Sequence, residues 1–326
     1  MTFTLDVQHL DTQFVTRDGL VKAVDDVSFA VPAGKVMGLV GESGSGKSMT
    51  AYSIMGLVDA PGEITGGKVL LNGVDLRSLP PSDMRRLRGN RIAMIFQDPM
   101  MTLNPVLRID TQMTETIRAH RKVTRVDARA MACAALQRVG IAEPEQRLLA
   151  YPHQFSGGMR QRVAIAIALL NEPDLIICDE PTTALDVTIQ GQILFEMQAL
   201  CRESGTALIW ISHDLAVVAS LADEVAVMYA GRIVEHGSTQ QVLMHSRHPY
   251  THGLIAAAPA RNHRGQPLHQ IPGAPPSLRN LPTGCAFRPR CGQATEACSV
   301  TPEVQIIDQR ALRCFHPLSG NPGQTA

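Results

Sequence analysis

Hydrophobic and polar residues along the chain follow two periodicities. Phe3–Leu10 (FTLDVQHL) and Val21–Val31 (VKAVDDVSFAV) alternate apolar with polar residues or are rich in β-branched ones, which predicts half-buried strands in an antiparallel N-terminal β region. Five runs are apolar nearly throughout: Lys35–Val40, Arg91–Phe96, Asp174–Cys178, Ala207–Ile211 and Glu224–Met228. Runs of this length predict strands covered on both faces, and helical patterns lie between most of them. The combination predicts an α/β domain with a largely parallel sheet. The first run leads directly into a glycine-rich loop and a predicted helix from Lys47 to about Leu57. Between about Pro99 and Leu170 the strand signal vanishes and helical periodicity takes over, notably over Val126–Val139, which predicts a helical insert. From Arg247 onward Pro249, Pro259, Pro267, Pro272, Pro275, Pro276, Pro282 and Pro289 rule out long helices. That tail is expected to be loop-rich and held by something other than a large core of its own. There is no internal repeat and no low-complexity tract.

Composition narrows the class. With 326 residues the chain has room for about two domains and a sizeable core. Thirty basic and thirty acidic side chains cancel, which disfavours a surface that coats nucleic acid. Charged residues make up 18%, below the roughly 25% usual for soluble domains, which suggests that partners cover part of the surface. The longest purely apolar run, Val163–Leu170, falls far short of the ~20 residues of a membrane-spanning helix, so a membrane role has to come through a partner. The first ten residues contain no Lys or Arg and place Asp6 where a secretory signal needs apolar residues, so the chain is expected to stay in the cytoplasm.

Gly41-Glu42-Ser43-Gly44-Ser45-Gly46-Lys47-Ser48 fits the phosphate-loop pattern G-x-x-x-x-G-K-[ST], and it stands where that pattern requires, after a strand and before a helix. Gly41, Gly44 and Gly46 let the backbone wrap phosphates, and the amides around Ser43 and Ser45 supply positive potential. Lys47 reaches the outer phosphates and Ser48 can ligate Mg²⁺. An unrelated glycine-rich turn would not carry the lysine and hydroxyl in this frame. Downstream, the apolar run before Asp179-Glu180 delivers two acids at a strand end, one suited to Mg²⁺ and one to a hydrolytic water. Phe155-Ser156-Gly157-Gly158-Met159-Arg160-Gln161-Arg162 opens a helix shortly before it, a second helix start suited to an anion.

In order along the chain, the phosphate loop, Gln97 in Phe96-Gln97-Asp98-Pro99, Ser156-Gly157-Gly158, Asp179-Glu180, Ala184-Leu185-Asp186 and His213 resemble the ATP-binding cassette (ABC) family over about residues 3–245. The resemblance implies a head-to-tail dimer with a second ATPase subunit, a paralogue or a second copy, in which the phosphate loop of one faces the Ser-Gly-Gly signature of the other across ATP. It also implies that Glu180 is the general base on water, that His213 contacts the γ-phosphate, and that Gln97 senses Mg²⁺ and the attacking water. Asp179, Asp186, Ser156, Gly157 and Gly158 join the nucleotide site, and Phe14 stacks on adenine. A lone histidine after a strand is more often structural, a glutamine can merely cap a turn, and a buried strand position is a fair competitor for Phe14. For His213 and Gln97, position in the ordered series favours function. Met159 departs from the commonest pattern, which has Gln after the signature glycines.

Phe96–Met100, Pro181–Gln190 and His248-Pro249-Tyr250-Thr251 resemble the ATPase subunits of dipeptide and oligopeptide importers, with the nickel-importing branch similar. The implied division is a nucleotide-binding domain over 1–246, with its helical subdomain at about 99–170, and an importer-type extension over 247–326. The implied partners are two integral-membrane permease subunits and, indirectly, an extracytoplasmic substrate-binding protein. The implied place is the cytoplasmic face of the inner membrane. A soluble ABC ATPase acting on nucleic acid or the ribosome is the rival, disfavoured by the zero net charge. Cys285, Cys291, Cys298 and Cys314 are spaced C-x5-C-x6-C-x15-C, which allows disulfides, zinc, an iron–sulfur site or free thiols; a reducing compartment argues against disulfides, and spacing alone does not choose a metal. The resemblance implies a [4Fe-4S] cluster, with zinc as the alternative and a redox-sensing role as a further reading. Cys178 and Cys201 read as small core hydrophobes.

Overall fold

The computed structural model describes residues 3–17, 19–182, 187–258 and 269–319. Its elements begin with β1 (Phe3–Thr16), β2 (Gly19–Pro32), β3 (Val36–Val40), α1 (Lys47–Met55), β4 (Gly62–Leu71), β5 (Val74–Asp75), α2 (Pro81–Leu87) and β6 (Ile92–Ile95). Four helices follow without an intervening strand: α3 (Ile109–His120), α4 (Arg125–Arg138), α5 (Pro144–Leu148) and α6 (Gly157–Leu169). Then come β7 (Leu175–Asp179), α7 (Val187–Ser204), β8 (Ala207–Ile211), α8 (Leu215–Leu221), β9 (Glu224–Tyr229), β10 (Arg232–Ser238) and α9 (Thr239–Met244). The chain ends with α10 (Pro249–Ala256), β11 (Gln305–Ile307) and β12 (Arg310–Leu312). The five apolar runs are therefore β3, β6, β7, β8 and β9, and all but β9 are buried at every position. Among the described residues no helix is long and apolar enough to cross a membrane.

The chain divides into two compact units, one of Met1–Leu5, Val31–Lys35 and Leu71–Ile209, the other of Asp6–Ala30, Val36–Leu70 and Trp210–Ala326. In the first unit, α3 turns Ile109, Met113 and Ile117 to one side, and α4 does the same with Ala128, Ala132 and Leu136. All six are fully buried, and the two alanines let the helices approach closely where α3 packs on α4. Thr124 caps α4 by accepting from the Asp127 amide at 3.2 Å. β6 and β7 pair in parallel, Ile92 opposite Leu175 through Ile95 opposite Cys178, so the residues that follow the two strands emerge side by side. Cys178 and Cys201 are buried, and burial raises the Cys178 thiol well above its usual range, as expected for core positions.

In the second unit β3 pairs with β9 in parallel, and β10 pairs with β9 antiparallel. The tail then extends this sheet, because β12 pairs with β10 and β11 with β12, both antiparallel. Three-residue strands of this kind leave no periodic trace in sequence and are selected by the edge they complete.

Side-chain contacts of unexpected character also hold the tail. Phe287 packs on Tyr229 and Tyr250, with ring centroids 5.3 and 5.4 Å away. Arg310 pairs with Glu235 at 3.1 Å and Arg313 with Asp26. Glu235 has no exposed surface and also accepts from the backbone amides of Arg247 and His248. Its charge is tolerated in the core because its oxygens are all engaged.

Candidate functional site

The phosphate loop lies in the second unit between β3 and α1. Gly41, Gly44 and Gly46 all have positive φ, at 153°, 78° and 104°. A Cβ on Gly41 would collide with the Met228 carbonyl oxygen, and one on Gly46 with that of Ala23. The tight approach of β9 and β2 thus excludes any side chain at either position. Lys47 is buried and its Nζ donates to the carbonyls of Gly41 (2.8 Å) and Glu42 (2.9 Å), so the loop curls around its own ammonium. Ser45 Oγ is buried and has no hydrogen-bond partner, a hydroxyl in want of an acceptor or donor at the centre of the loop. Ser43 and Gly44 form its exposed crest, and Ser48 stands in the first turn of α1.

A cavity of about 440 Å³ opens over Glu42–Ser45, within the size range of small-ligand sites. Its other walls are Val21, Tyr229, Ala230 and Pro275–Arg279. Phe14 is half-buried with its ring beside Gly62, where a Cβ would collide with it, and it is not among these lining residues. His213 is exposed just after β8, ahead of Asp214, whose carboxylate caps α8 by accepting from the Ala216 and Val217 amides.

The first unit holds the two acids at the end of β7. Asp179 ends β7 and is buried, and Glu180 follows it with φ of 47°. A left-handed glutamate costs about 1–2 kcal/mol, and here it redirects the carboxylate sharply at the strand end. Gln97, beyond the adjacent β6, donates from Nε2 to Glu180 Oε2 at 3.2 Å. The parallel register of β6 and β7 is what brings these two together.

In the same unit, Ser156 caps α6, accepting from the Met159 amide at 3.3 Å, while Ser156 and Gly157 are exposed and a Cβ on Gly157 would meet nothing within 4 Å. Gly158 follows in the first turn of α6. The helix N-terminus is thereby left open to an anion from outside. Asp186, with Thr183, Ala184 and Leu185, lies outside the described residues.

Two features of the phosphate loop were not predicted from the sequence. Tyr250 is buried and its hydroxyl accepts from the Glu42 amide at 2.9 Å, and the Glu42 carboxylate is clasped by Arg290. The local signal for Arg290 is a pair of arginines, Arg288 and Arg290, in a segment with little to bury, and Tyr250 stands in the His248–Thr251 stretch without any mark of this role.

The four tail cysteines share one environment. Burial raises the thiols of Cys285, Cys291 and Cys314, that of Cys314 to about 11, and the neighbouring sulfurs add to the effect at each. Cys298 is buried and the Cys285 amide donates to its carbonyl at 3.0 Å. Among the described residues, however, no group of three or more His, Cys, Asp or Glu side chains is arranged to hold a metal ion, so the expected cluster or zinc centre is not preformed in this side-chain arrangement.

Comparison with known proteins accords with this geometry. A family model described as ABC transporter matches residues 24–183, and one described as oligopeptide/dipeptide transporter, C-terminal region, matches residues 234–298. The oligopeptide transport ATP-binding protein OppD of Haemophilus influenzae is 48% identical over 309 residues, covering 95% of each chain. OppD of Escherichia coli is 47% identical over 315 residues, covering 96% of this chain and 93% of its own. Among solved structures, a dimeric post-hydrolysis state of an ATP-binding cassette bound to ADP and Pi covers 72% of this chain and 98% of its own, with a TM-score of 0.67 and 24% identity, a likeness of fold.

Proposed function

The chain belongs to the ATP-binding cassette family of transporter ATPases, and from that premise we propose that it hydrolyses ATP to power an importer of di- and oligopeptides. The observation that carries this reading is one chain holding both a phosphate loop with a Gln97–Glu180 pair and a tail that matches the oligopeptide/dipeptide C-terminal region. The cassette spans 1–246, with its helical subdomain at about 99–170, and the importer-type extension spans 247–326. Lys47 and the loop amides counter phosphate charge, Glu180 takes the proton of the attacking water, and His213 contacts the γ-phosphate. Mg²⁺ held through Ser48 of the phosphate loop would neutralise charge on the phosphoryl oxygens. Ser156, Gly157 and Gly158 serve the ATP of a second ATPase subunit in a head-to-tail dimer, a role that suits their open helix start. Two permease subunits anchor that dimer at the cytoplasmic face of the inner membrane, and a substrate-binding protein delivers the peptide on the other side.

Reconstitution with the permease subunits in vesicles tests the substrate class. Uptake of a labelled oligopeptide that depends on ATP and on this chain is the expected result. Uptake of nickel and not peptide would move the chain to the nickel-importing branch, and ATP turnover stimulated only by nucleic acid or ribosomes would overturn the transport reading.

For Cys285, Cys291, Cys298 and Cys314 the reading is a structural [4Fe-4S] site that forms as the metal displaces the four protons. It is supported by four cysteines within one short, proline-rich segment that has little core of its own, and binding has to bring their side chains together, since they are not arranged around a metal here. Protein purified without oxygen is expected to be brown, to contain about four irons per chain, and to lose both colour and iron in Cys291→Ser. One stoichiometric zinc in colourless protein would replace the cluster with a zinc site, and metal-free protein with a well-folded tail would remove the site altogether.

A further inference from the structure

Resting on the nucleotide-site reading, we propose that Arg290 of the tail is a positioning residue for the phosphate loop, holding Glu42 in the orientation that nucleotide binding requires. The guanidinium grips Glu42 as a fork, Nη1 donating to Oε2 at 2.7 Å and Nη2 to Oε1 at 3.0 Å. Two of its other three N–H donors are engaged as well: Nε donates to the Pro272 carbonyl at 2.9 Å, and Nη1 also reaches the Tyr229 hydroxyl at 3.4 Å. The charge lies 5.9 Å from the ring centres of both Tyr229 and Phe287, and the side chain is only 5% exposed. An arginine so buried, with four of its five N–H donors engaged, is held to one geometry, and Glu42 is held to it.

Glu42 is the loop residue best placed to transmit that geometry. Its carboxylate is held by Arg290, its amide donates to Tyr250, and its carbonyl accepts from Lys47. Every polar group of this residue is thus spoken for, two of the three by side chains beyond residue 246. The crest that follows has no such bracing: Ser43 and Gly44 are exposed, and the space beside Gly44 is open. The peptide between Glu42 and Ser43 begins the row of amides that would face phosphates, so the fork determines where that row starts. Pro275–Arg279, from the same extension, line the cavity over the loop. The tail is therefore part of the nucleotide site as well as a neighbour of it.

A purely structural ion pair would affect folding stability and leave nucleotide affinity in the folded protein unchanged. Glu42→Gln, Arg290→Gln, Arg290→Lys and the Glu42→Gln/Arg290→Gln double variant of the full chain separate the two roles. Dissociation constants for MgATP are measured by calorimetry, and kcat and KM in the reconstituted complex. Each single Gln variant is expected to weaken MgATP binding by about 5–50-fold, the range of a typical coupling between sites, with kcat at saturating MgATP within about twofold of the parent. Arg290→Lys keeps the charge and loses the fork, so it falls between the parent and Arg290→Gln. The double variant is expected to match the weaker-binding single, because both remove one shared interaction. Parental affinity in a folded Glu42→Gln or Arg290→Gln chain, or factors that multiply in the double variant, would overturn the proposal. If Arg290→Gln does not fold, Glu42→Gln decides alone, since Glu42 is half-buried on a loop and its replacement keeps the shape. Lys47→Ala in the same assay distinguishes the two levels of the argument. Parental affinity there removes the nucleotide-site reading itself, whereas weakened Lys47→Ala with an unaffected Glu42→Gln removes only the role of Arg290.

Discussion

Glu180→Gln is expected to lower ATP turnover by about 10²–10⁴-fold, the usual cost of losing a general base, while MgATP binding stays close to that of the parent. The substitution is nearly isosteric. Gln97 Nε2 donates to Glu180 Oε2, and an amide oxygen at the same place accepts that bond equally well. The left-handed backbone at φ 47° is as costly for glutamine as for glutamate, so strain does not separate the variant from its parent. What changes is the capacity to accept a proton from water. Single-turnover hydrolysis and MgATP calorimetry on the same preparation test this, and nucleotide-loaded variant chains should accumulate as dimers. Near-parental turnover would remove Glu180 from the role of base, and loss of nucleotide affinity would recast it as a residue that shapes the site.

The strands carrying this chemistry were legible because burial on both faces writes a continuous apolar run, as in Leu175–Asp179, and no other local pattern competes with it. The helix after Lys47 was legible from the loop pattern that opens it, and the helical insert from the loss of strand signal between about Pro99 and Leu170, where α3 sets Ile109, Met113 and Ile117 on one side. The phosphate loop was legible through its glycines, whose positions follow from backbone approach at Gly41 and Gly46. The left-handed turn at Glu180 was not, since nothing in a glutamate signals positive φ and only the surrounding structure imposes it. The tail was legible as poor in helix but not in its attachment. Arg290 and Glu42 stand 248 positions apart, and no local pattern in sequence pairs one arginine with one of many acids. The same holds for Glu235, a buried acid within β10, which becomes intelligible only once Arg310 and two backbone amides are seen around it.

The phosphate loop also makes a strong prediction about affinity. Lys47→Ala is expected to raise the MgATP dissociation constant by about 10–100-fold, the worth of one or two hydrogen bonds from a charged donor at roughly 1.5–3 kcal/mol. Unlike a surface lysine, Lys47 is buried, and its ammonium is satisfied by two carbonyls of its own loop. It is therefore held in place before any phosphate arrives, and binding exchanges carbonyl partners for a stronger anionic one with little ordering left to lose. The alanine variant forfeits that exchange and leaves the Gly41 carbonyl turned toward the site without its donor. Lys47→Arg is not expected to restore binding, because a larger planar fork does not reproduce the compact ammonium that the Gly41 and Glu42 carbonyls hold. Calorimetry with MgATP, alongside circular dichroism to show that α1 and the sheet persist, reads both variants. Parental affinity in Lys47→Ala would mean that phosphate charge is countered elsewhere and that this loop is not the nucleotide site.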